Sequence, residues 1–201
     1  MNHSDTITGI RARWYTRLMG SVGAGKVYER ALTLLNPRPG ERILDVGCGT
    51  GTFLKLVKRT PLSVPLTLIG IDASEDMLHE ARKDSDGISF RYADASELPF
   101  ADATFDCVVS ILALHHMPLE VKEKALGEAV RVLRKGGRII ILDLSRPNKG
   151  WWGSVLGIWF DFHSHTRGNW SFIMAGLQKR GFSVEEGTER GAVGYVVAQV
   201  R

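Results

Sequence analysis

The chain has 201 residues, 44% of them hydrophobic and 24% charged, with a formal net charge of +4. That length is enough for one sizeable core without metals or crosslinks, and the composition excludes collagen-like, low-complexity and disulfide-scaffold classes. Two cysteines, Cys48 and Cys107, make no disulfide framework, and neither has a zinc-ligand spacing, so no metal is expected. Lys and Arg are scattered, and the densest stretch, 131–138, falls at an expected helix C-terminus, where cations complement the helix dipole. Charge therefore points to no nucleic-acid partner. No run of about 18 apolar residues is present and residues 1–5 are polar, so neither a membrane span nor a signal peptide is expected. A reducing cytoplasm is the expected compartment.

In chain order, residues 7–35 read as one or two helices. Val27, Ala31, Leu34 and Leu35 form an apolar stripe, broken by Asn36-Pro37-Arg38-Pro39-Gly40. A strand over 42–46 runs into a glycine turn. A helix carrying Phe53, Leu54, Leu56 and Val57 follows. Strand two covers 66–71 and ends at Asp72, with Ser74 as N-cap of a short helix whose first turn holds Glu75 and Asp76. Strand three covers 88–93 and ends at Asp94. Strand four, 107–112, is a continuous apolar run of the kind buried on both faces. A helix starting near Pro118 is expected to end at Gly136-Gly137, before strand five at 139–144. After an aromatic stretch, a helix over about 169–180 precedes strands near 182–186 and 195–200, which the short glycine-containing link should pair as an antiparallel hairpin.

Alternation of strands and helices predicts an α/β fold: a three-layer α/β/α sandwich with a seven-stranded, mostly parallel sheet, one strand antiparallel, and helices between the first five strands. The expected organisation is an N-terminal helical cap over 1–35 and a catalytic-type domain over 36–201. In such a sheet, ligands bind beyond the carboxyl ends of the strands.

Four of the first five strands place informative residues there. Strand one ends in Asp45 and Gly47-Cys48-Gly49-Thr50-Gly51, where Gly47 and Gly49 allow close backbone approach to a ligand. The pattern is G-x-G-x-G. A dinucleotide fingerprint would need a glycine where Thr52 stands. Asp72 can accept hydrogen bonds from both hydroxyls of a ribose; the alternative is a carboxylate serving the helix dipole, a place Ser74 already fills as cap. Asp94 can accept from an adenine amino group or close an ordinary Asx-turn.

These stretches resemble one family. Residues 41–51 (ERILDVGCGTG), 70–78 (GIDASEDML), 92–100 (YADASELPF), 105–117 (FDCVVSILALHHM) and 133–143 (LRKGGRIIILD) look like the motifs of class I S-adenosylmethionine-dependent methyltransferases. Within them the chain is similar to the small-molecule branch that includes the ubiquinone/menaquinone-biosynthesis C-methyltransferases. The resemblance covers a little over half of the chain, in family order and spacing, and implies a Rossmann-like fold with S-adenosylmethionine as cofactor. It further implies that Asp45, Gly47, Cys48, Gly49 and Gly51 hold the methionine end. By the same resemblance Asp72 binds the ribose, Ala73 and Met77 pack on the adenine, Asp94 and Ala95 meet its edge, and Ser110 and Ile111 lie near the sulfonium. Tyr15 of Trp14-Tyr15 matches a pair near the cofactor carboxylate, although the Asp that commonly follows is Thr16 here.

The expected reaction is methyl transfer to a small, apolar or aromatic acceptor, on carbon or oxygen. Such sites need no dedicated base, but carbon or phenolic nucleophiles benefit from one, and His115 and His116 are the candidates; His163 and His165 are further ones. The alternative for His115 and His116 is a plain helix boundary. Residues 151–172 hold Trp151, Trp152, Trp159, Phe160, Phe162, Trp170 and Phe172. They form a cap packed on the sheet, an aromatic substrate lid, or a shallow contact with a membrane surface. Two other classes stay open: a cofactor-binding protein without catalysis, and a nicotinamide-dependent oxidoreductase. The latter lacks the sixth-position glycine and a Tyr-x-x-x-Lys pair.

Overall fold

The structure is a computed structural model that describes residues 24–144, 169–189 and 193–200. Tyr15, His163, His165 and most of the 151–172 segment lie outside the described residues. In chain order the elements are α1 (Ala24–Leu35), β1 (Arg42–Val46), α2 (Thr52–Lys58), β2 (Thr67–Asp72), α3 (Glu75–Ala81), β3 (Ile88–Tyr92), β4 (Phe105–Ile111), a 3-10 turn (Leu114–His116), α4 (Leu119–Val132), β5 (Leu133–Leu144), α5 (Asn169–Lys179), β6 (Phe182–Glu189) and β7 (Val193–Val200).

The seven strands form one sheet in the order β3-β2-β1-β4-β5-β7-β6. Neighbours from β3 through β5 pair in parallel, whereas β7 is antiparallel to both β5 and β6. β7 is thus the one antiparallel strand. The order reverses at β1, with β2 on one side and β4 on the other, and the crevice for a ligand opens at this switch point.

Strand pleating divides the core in two. Along β5, Ile139 and Ile141 face one layer, with Ala125, Leu126 and Ala129 of α4 and Ile173 and Leu177 of α5. Ile140 and Leu142 face the other, with Ala31 and Leu35 of α1, Phe53, Leu54 and Val57 of α2, and Leu78 and Ala81 of α3. Every residue of β4 is buried, including the polar Asp106 and Ser110, as for a central strand covered on both faces. At the opposite end of the sheet from the crevice, buried Arg138 donates to both Glu41 carboxylate oxygens, at 2.6 and 2.9 Å, and to the Leu35 carbonyl at 2.7 Å. This fork ties the end of α1 to β1 and β5. The Arg138 hydrogen bonds and charge outweigh the burial that raises the Glu41 pKa, so its net shift is downward.

Three expectations need correction. No helix joins β3 to β4; residues 93–104 run as turns. Arg131 holds them from α4, donating to the carbonyls of Phe100 and Leu98 at 2.8 and 3.0 Å, while the Leu98 N–H donates to Glu128 at 2.7 Å. These bonds fasten a turn-rich backbone whose polar groups are partnered by α4 instead of by a helix of its own. Secondly, α4 ends at Val132 rather than at Gly136-Gly137, because Leu133 is already extended and pairs with Phe105. Two steps along β4, Phe105 to Cys107, face five along β5, Leu133 to Arg138, and Gly136 takes a φ of 76° inside that irregularity. Thirdly, the basic stretch 131–138 does not sit together at a helix end. Arg134 pairs with Asp106, and Arg138 is a strand residue.

Candidate functional site

The glycine turn leaves β1 and is pinned to β2. The N–H groups of Gly47 and Cys48 both donate to the Ile71 carbonyl at 2.9 Å, and the Gly49 N–H donates to Asp72 Oδ2 at 2.8 Å. Asp72 Oδ1 accepts the Ser74 N–H at 2.9 Å. Ser74 caps α3 through Met77, so the cap is Ser74 and Asp72 is left at the crevice. A carboxylate has about four acceptor sites, and the two bonds leave capacity on Asp72 for further donors.

The glycines have different reasons. Gly47 has φ 76°, and a Cβ there would stand 2.5 Å from the Ala113 Cβ, on the loop after β4. Gly49 has φ 53°, and its Cβ would meet nothing within 4 Å. The turn therefore closes on β4 at Gly47 and opens onto free space at Gly49.

Asp45, at the root of the turn, is buried, and its Oδ1 has no hydrogen-bond partner. Burial, with the Asp72 charge nearby, pushes its carboxyl up to about 8. Burial also raises Asp72, against the N–H donors that lower it. A buried, unpartnered carboxyl oxygen costs free energy unless something supplies a donor or a positive charge. With open space at Gly49, it fits a ligand that brings a donor or a positive charge. The thiols are not nucleophiles. Burial drives Cys48 well above its ordinary value, with Asp45 and Asp72 adding to it, and pushes Cys107 up to about 12.

The remaining candidates differ in burial and in hydrogen bonding. Met77 is buried and Ala73 exposed. Asp94 Oδ1 accepts the Ser96 N–H and hydroxyl at 2.8 and 2.7 Å, so the Asx-turn is formed. Ala95 beside it is buried. Ser110 donates its hydroxyl to the Val46 carbonyl at 3.0 Å and so locks β4 to β1. Ile111 is buried in the layer with α1, α2 and α3.

The loop after β4 carries what sequence reading did not single out. Leu112 has φ 53°, a left-handed conformation unfavourable for a leucine, held by its N–H to the Leu142 carbonyl at 2.7 Å. The following 3-10 turn separates the two candidate histidines: His115 is 5% exposed, whereas His116 lies on the surface. Asp143, fully buried near the end of β5, accepts both the His115 N–H at 2.9 Å and its Nδ1 at 2.6 Å. An aspartate interrupting the apolar run of strand five was the available signal, since a buried carboxylate demands partners. Among the described residues, no group of three or more His, Cys, Asp or Glu side chains is arranged to hold a metal ion, and no helix is long and apolar enough to cross a membrane.

Comparison with known proteins agrees with this arrangement. Residues 44–141 match the family model described as a methyltransferase domain. The demethylmenaquinone methyltransferase of Thermus thermophilus is 38% identical over 136 residues, covering 65% of this chain and 60% of that protein. The 27-O-demethylrifamycin SV methyltransferase of Amycolatopsis mediterranei is 36% identical over 124 residues, covering 59% and 44%. Among solved structures, a Thermotoga maritima protein described as a SAM-dependent methyltransferase, possible histamine N-methyltransferase, superposes with a TM-score of 0.68 at 23% identity, covering 94% of this chain and 95% of that one. The chain spans about half the length of the curated relatives it matches.

Proposed function

We propose that the chain is a methyltransferase of the class I S-adenosylmethionine-dependent family and transfers a methyl group to a small, apolar or aromatic acceptor. Its cofactor in this reading is S-adenosylmethionine, which is bound in a solved structure of similar fold, a phosphoethanolamine N-methyltransferase of Haemonchus contortus. When bound, it supplies a methyl group already attached to a positively charged sulfur. The chain's own residues must then bind, orient and exclude water.

The observation that carries this reading is the buried, unpartnered oxygen of Asp45 beside the open cradle at Gly49. Asp45 and the turn through Gly47, Cys48, Gly49 and Gly51 would hold the cationic methionine end. Asp72 would use its remaining acceptor capacity on the ribose hydroxyls. Met77 and Ala73 would pack on the adenine, and Ala95 with the second carboxylate oxygen of Asp94 would meet its edge. Ser110, with its hydroxyl committed to Val46, would contribute backbone near the sulfonium alongside Ile111. Tyr15 and the lid assigned to 151–172 complete the proposal from outside the described residues. The helical cap over 1–35 and a cytoplasmic location belong to the same proposal. Two buried free thiols are compatible with a reducing compartment.

The test is transfer of labelled methyl from S-adenosylmethionine to a panel of phenols, quinols, amines and thiols. Turnover with at least one class is the expected result. Silence across the panel by a chain that binds the cofactor would favour a non-catalytic binding protein.

A further inference from the structure

The stretch that carries Asp94 and Ala95 has no helix or strand of its own, and anchors at three places set its backbone. At its start the Ala93 N–H donates to the Asp72 carbonyl at 3.2 Å. The Glu97 N–H then closes a turn on the Asp94 carbonyl at 3.1 Å. Directly after that turn Leu98 is gripped from α4: its N–H donates to Glu128 at 2.7 Å, and its carbonyl accepts from Arg131 at 3.0 Å. At the far end the Ala103 and Thr104 N–H groups donate to the carbonyls of Arg131 and Val132, at 3.0 and 2.8 Å. Asp94 and Ala95 are thus strung between the end of β2 and the C-terminal part of α4.

Arg131 commits its whole guanidinium to this grip. The group has five N–H donors. Two go to the two Glu128 oxygens, both at 2.7 Å, and three go to the Phe100 carbonyl, the Leu98 carbonyl and Asp102, at 2.8, 3.0 and 2.7 Å. The planar fork orients the Glu128 carboxylate in turn, and that carboxylate is the acceptor for Leu98. An ordinary ion pair on a helix surface needs a single contact and contributes little. Here the pair is built around another segment's backbone.

The grip holds an acceptor next to a donor. Both bonds from Ser96 fall on Asp94 Oδ1. Among the described residues, Asp94 Oδ2 and the Ala95 N–H have no hydrogen-bond partner. Adenine presents the complement on its edge, an amino donor beside a ring-nitrogen acceptor. Hypoxanthine presents the reverse, a carbonyl beside a ring N–H. Hydrogen bonds weaken steeply outside about 2.7–3.2 Å, so reading that edge requires both groups to be fixed within about 0.5 Å.

Resting on the methyl-transfer reading above, we infer that Glu128 and Arg131 are positioning residues for the cofactor base: by gripping Leu98 they set the Asp94–Ala95 backbone, and with it the selectivity for adenine over hypoxanthine. Both act through Leu98 rather than by contact with the cofactor. Their effect is confined to the base, because the glycine turn and Asp72 are held by separate bonds among Gly47, Cys48, Gly49, Ile71 and Ser74.

The experiment is calorimetric titration of the full chain with S-adenosylhomocysteine and with S-inosylhomocysteine, which differs only in carrying hypoxanthine. The unmodified chain should bind the adenine compound about thirtyfold or more tightly than the other. Arg131→Lys keeps the charge and the helix preference but has three donors in place of the planar fork. In that variant the ratio should fall about fivefold or more, with affinity for the inosine compound unchanged within about twofold. Glu128→Ala removes the Leu98 acceptor while Arg131 keeps its backbone bonds, so it should lower the ratio in the same way and decides the matter if the lysine variant does not fold. Glu41→Gln, a destabilising change remote from this stretch, should leave the ratio as it is. An unaltered ratio in either folded α4 variant overturns the inference, as do equal losses of affinity for the two compounds or a ratio that falls as far in Glu41→Gln. Equal binding of the two compounds by the unmodified chain overturns it as well. No binding of S-adenosylhomocysteine at all defeats the methyl-transfer reading, and the inference with it.

Discussion

Gly47 and Ala113 are in such close apposition that a Cβ added to the glycine would lie 2.5 Å from the alanine Cβ. That contact joins the turn after β1 to the turn after β4 and closes the floor of the crevice. Gly49, two residues on, has open space instead. The same substitution at the two positions should therefore separate folding from binding. Gly47→Ala combines a left-handed φ, which costs roughly 1–2 kcal/mol, with a steric collision, and should lower the melting temperature by about 5 °C or more. Gly49→Ala pays only the conformational term and should melt within a few degrees of the unmodified chain. It should nevertheless weaken cofactor affinity at least about tenfold, because its methyl group enters the cradle. Thermal melts and calorimetry on the pair decide this; equal effects of both substitutions on stability would refute the distinction.

The raised Asp45 carboxyl should make cofactor binding proton-linked. Its carboxyl is pushed up to about 8 in the folded chain, from an ordinary value of 3.8. Between those two pH values the folded state binds the extra proton, so stability of the cofactor-free chain should decline as pH rises through that window. A cationic ligand favours the carboxylate and expels the proton. S-adenosylmethionine affinity should therefore increase with pH up to about 8, with release of about one proton on binding near pH 7. Calorimetry in buffers of different ionisation enthalpy measures the release. It should vanish in Asp45→Asn, and its absence from the unmodified chain would rule out the linkage.

Asp72→Ala should do more than remove the proposed ribose contact. The carboxylate also accepts the N–H groups of Gly49 and Ser74. Losing both bonds at a partly buried site should cost about 1–3 kcal/mol, seen as a fall of roughly 2–10 °C in melting temperature, along with loss of cofactor binding. Undiminished affinity in a chain destabilised by that amount would show that Asp72 serves the turn alone.

The Glu41–Arg138 fork is a stability element remote from the crevice. Glu41→Gln would leave a buried guanidinium short of its charge partner, at a cost of about 3–5 kcal/mol, with little change in cofactor affinity at a temperature where the variant is folded. The Glu41 pKa is lowered on folding, so the pair stabilises above the carboxyl's ordinary value of 4.5 and loses that contribution as pH falls through the lower folded value. Denaturant melts from pH 7 down to pH 3 test this; a Glu41→Gln variant with an unaltered midpoint would refute it.

The strand ends at which the candidate residues stand were legible in the sequence. Asp45 and Asp72 fall at the carboxyl ends of β1 and β2, Asp94 lies two residues past β3, and Ser74 caps α3 as its residue type suggests. What escaped depends on contacts between distant residues. His115 and Asp143 are 28 positions apart and meet only because β4 and β5 are sheet neighbours. Residues 93–104 avoid a helix because Arg131 and Glu128 bond their backbone from α4. The end of α4 moved to Val132 because pairing of Leu133 with Phe105 competes with helix propagation, and the two glycines serve the irregularity after it. The Ser110 hydroxyl is held by the neighbouring strand, a pairing 64 positions apart in the chain.

The most direct measurement is calorimetric titration of the chain with S-adenosylhomocysteine and, separately, with NADH. Asp45, the open cradle at Gly49 and Asp72 predict stoichiometric binding of S-adenosylhomocysteine and none of NADH. Binding of NADH alone would contradict the account.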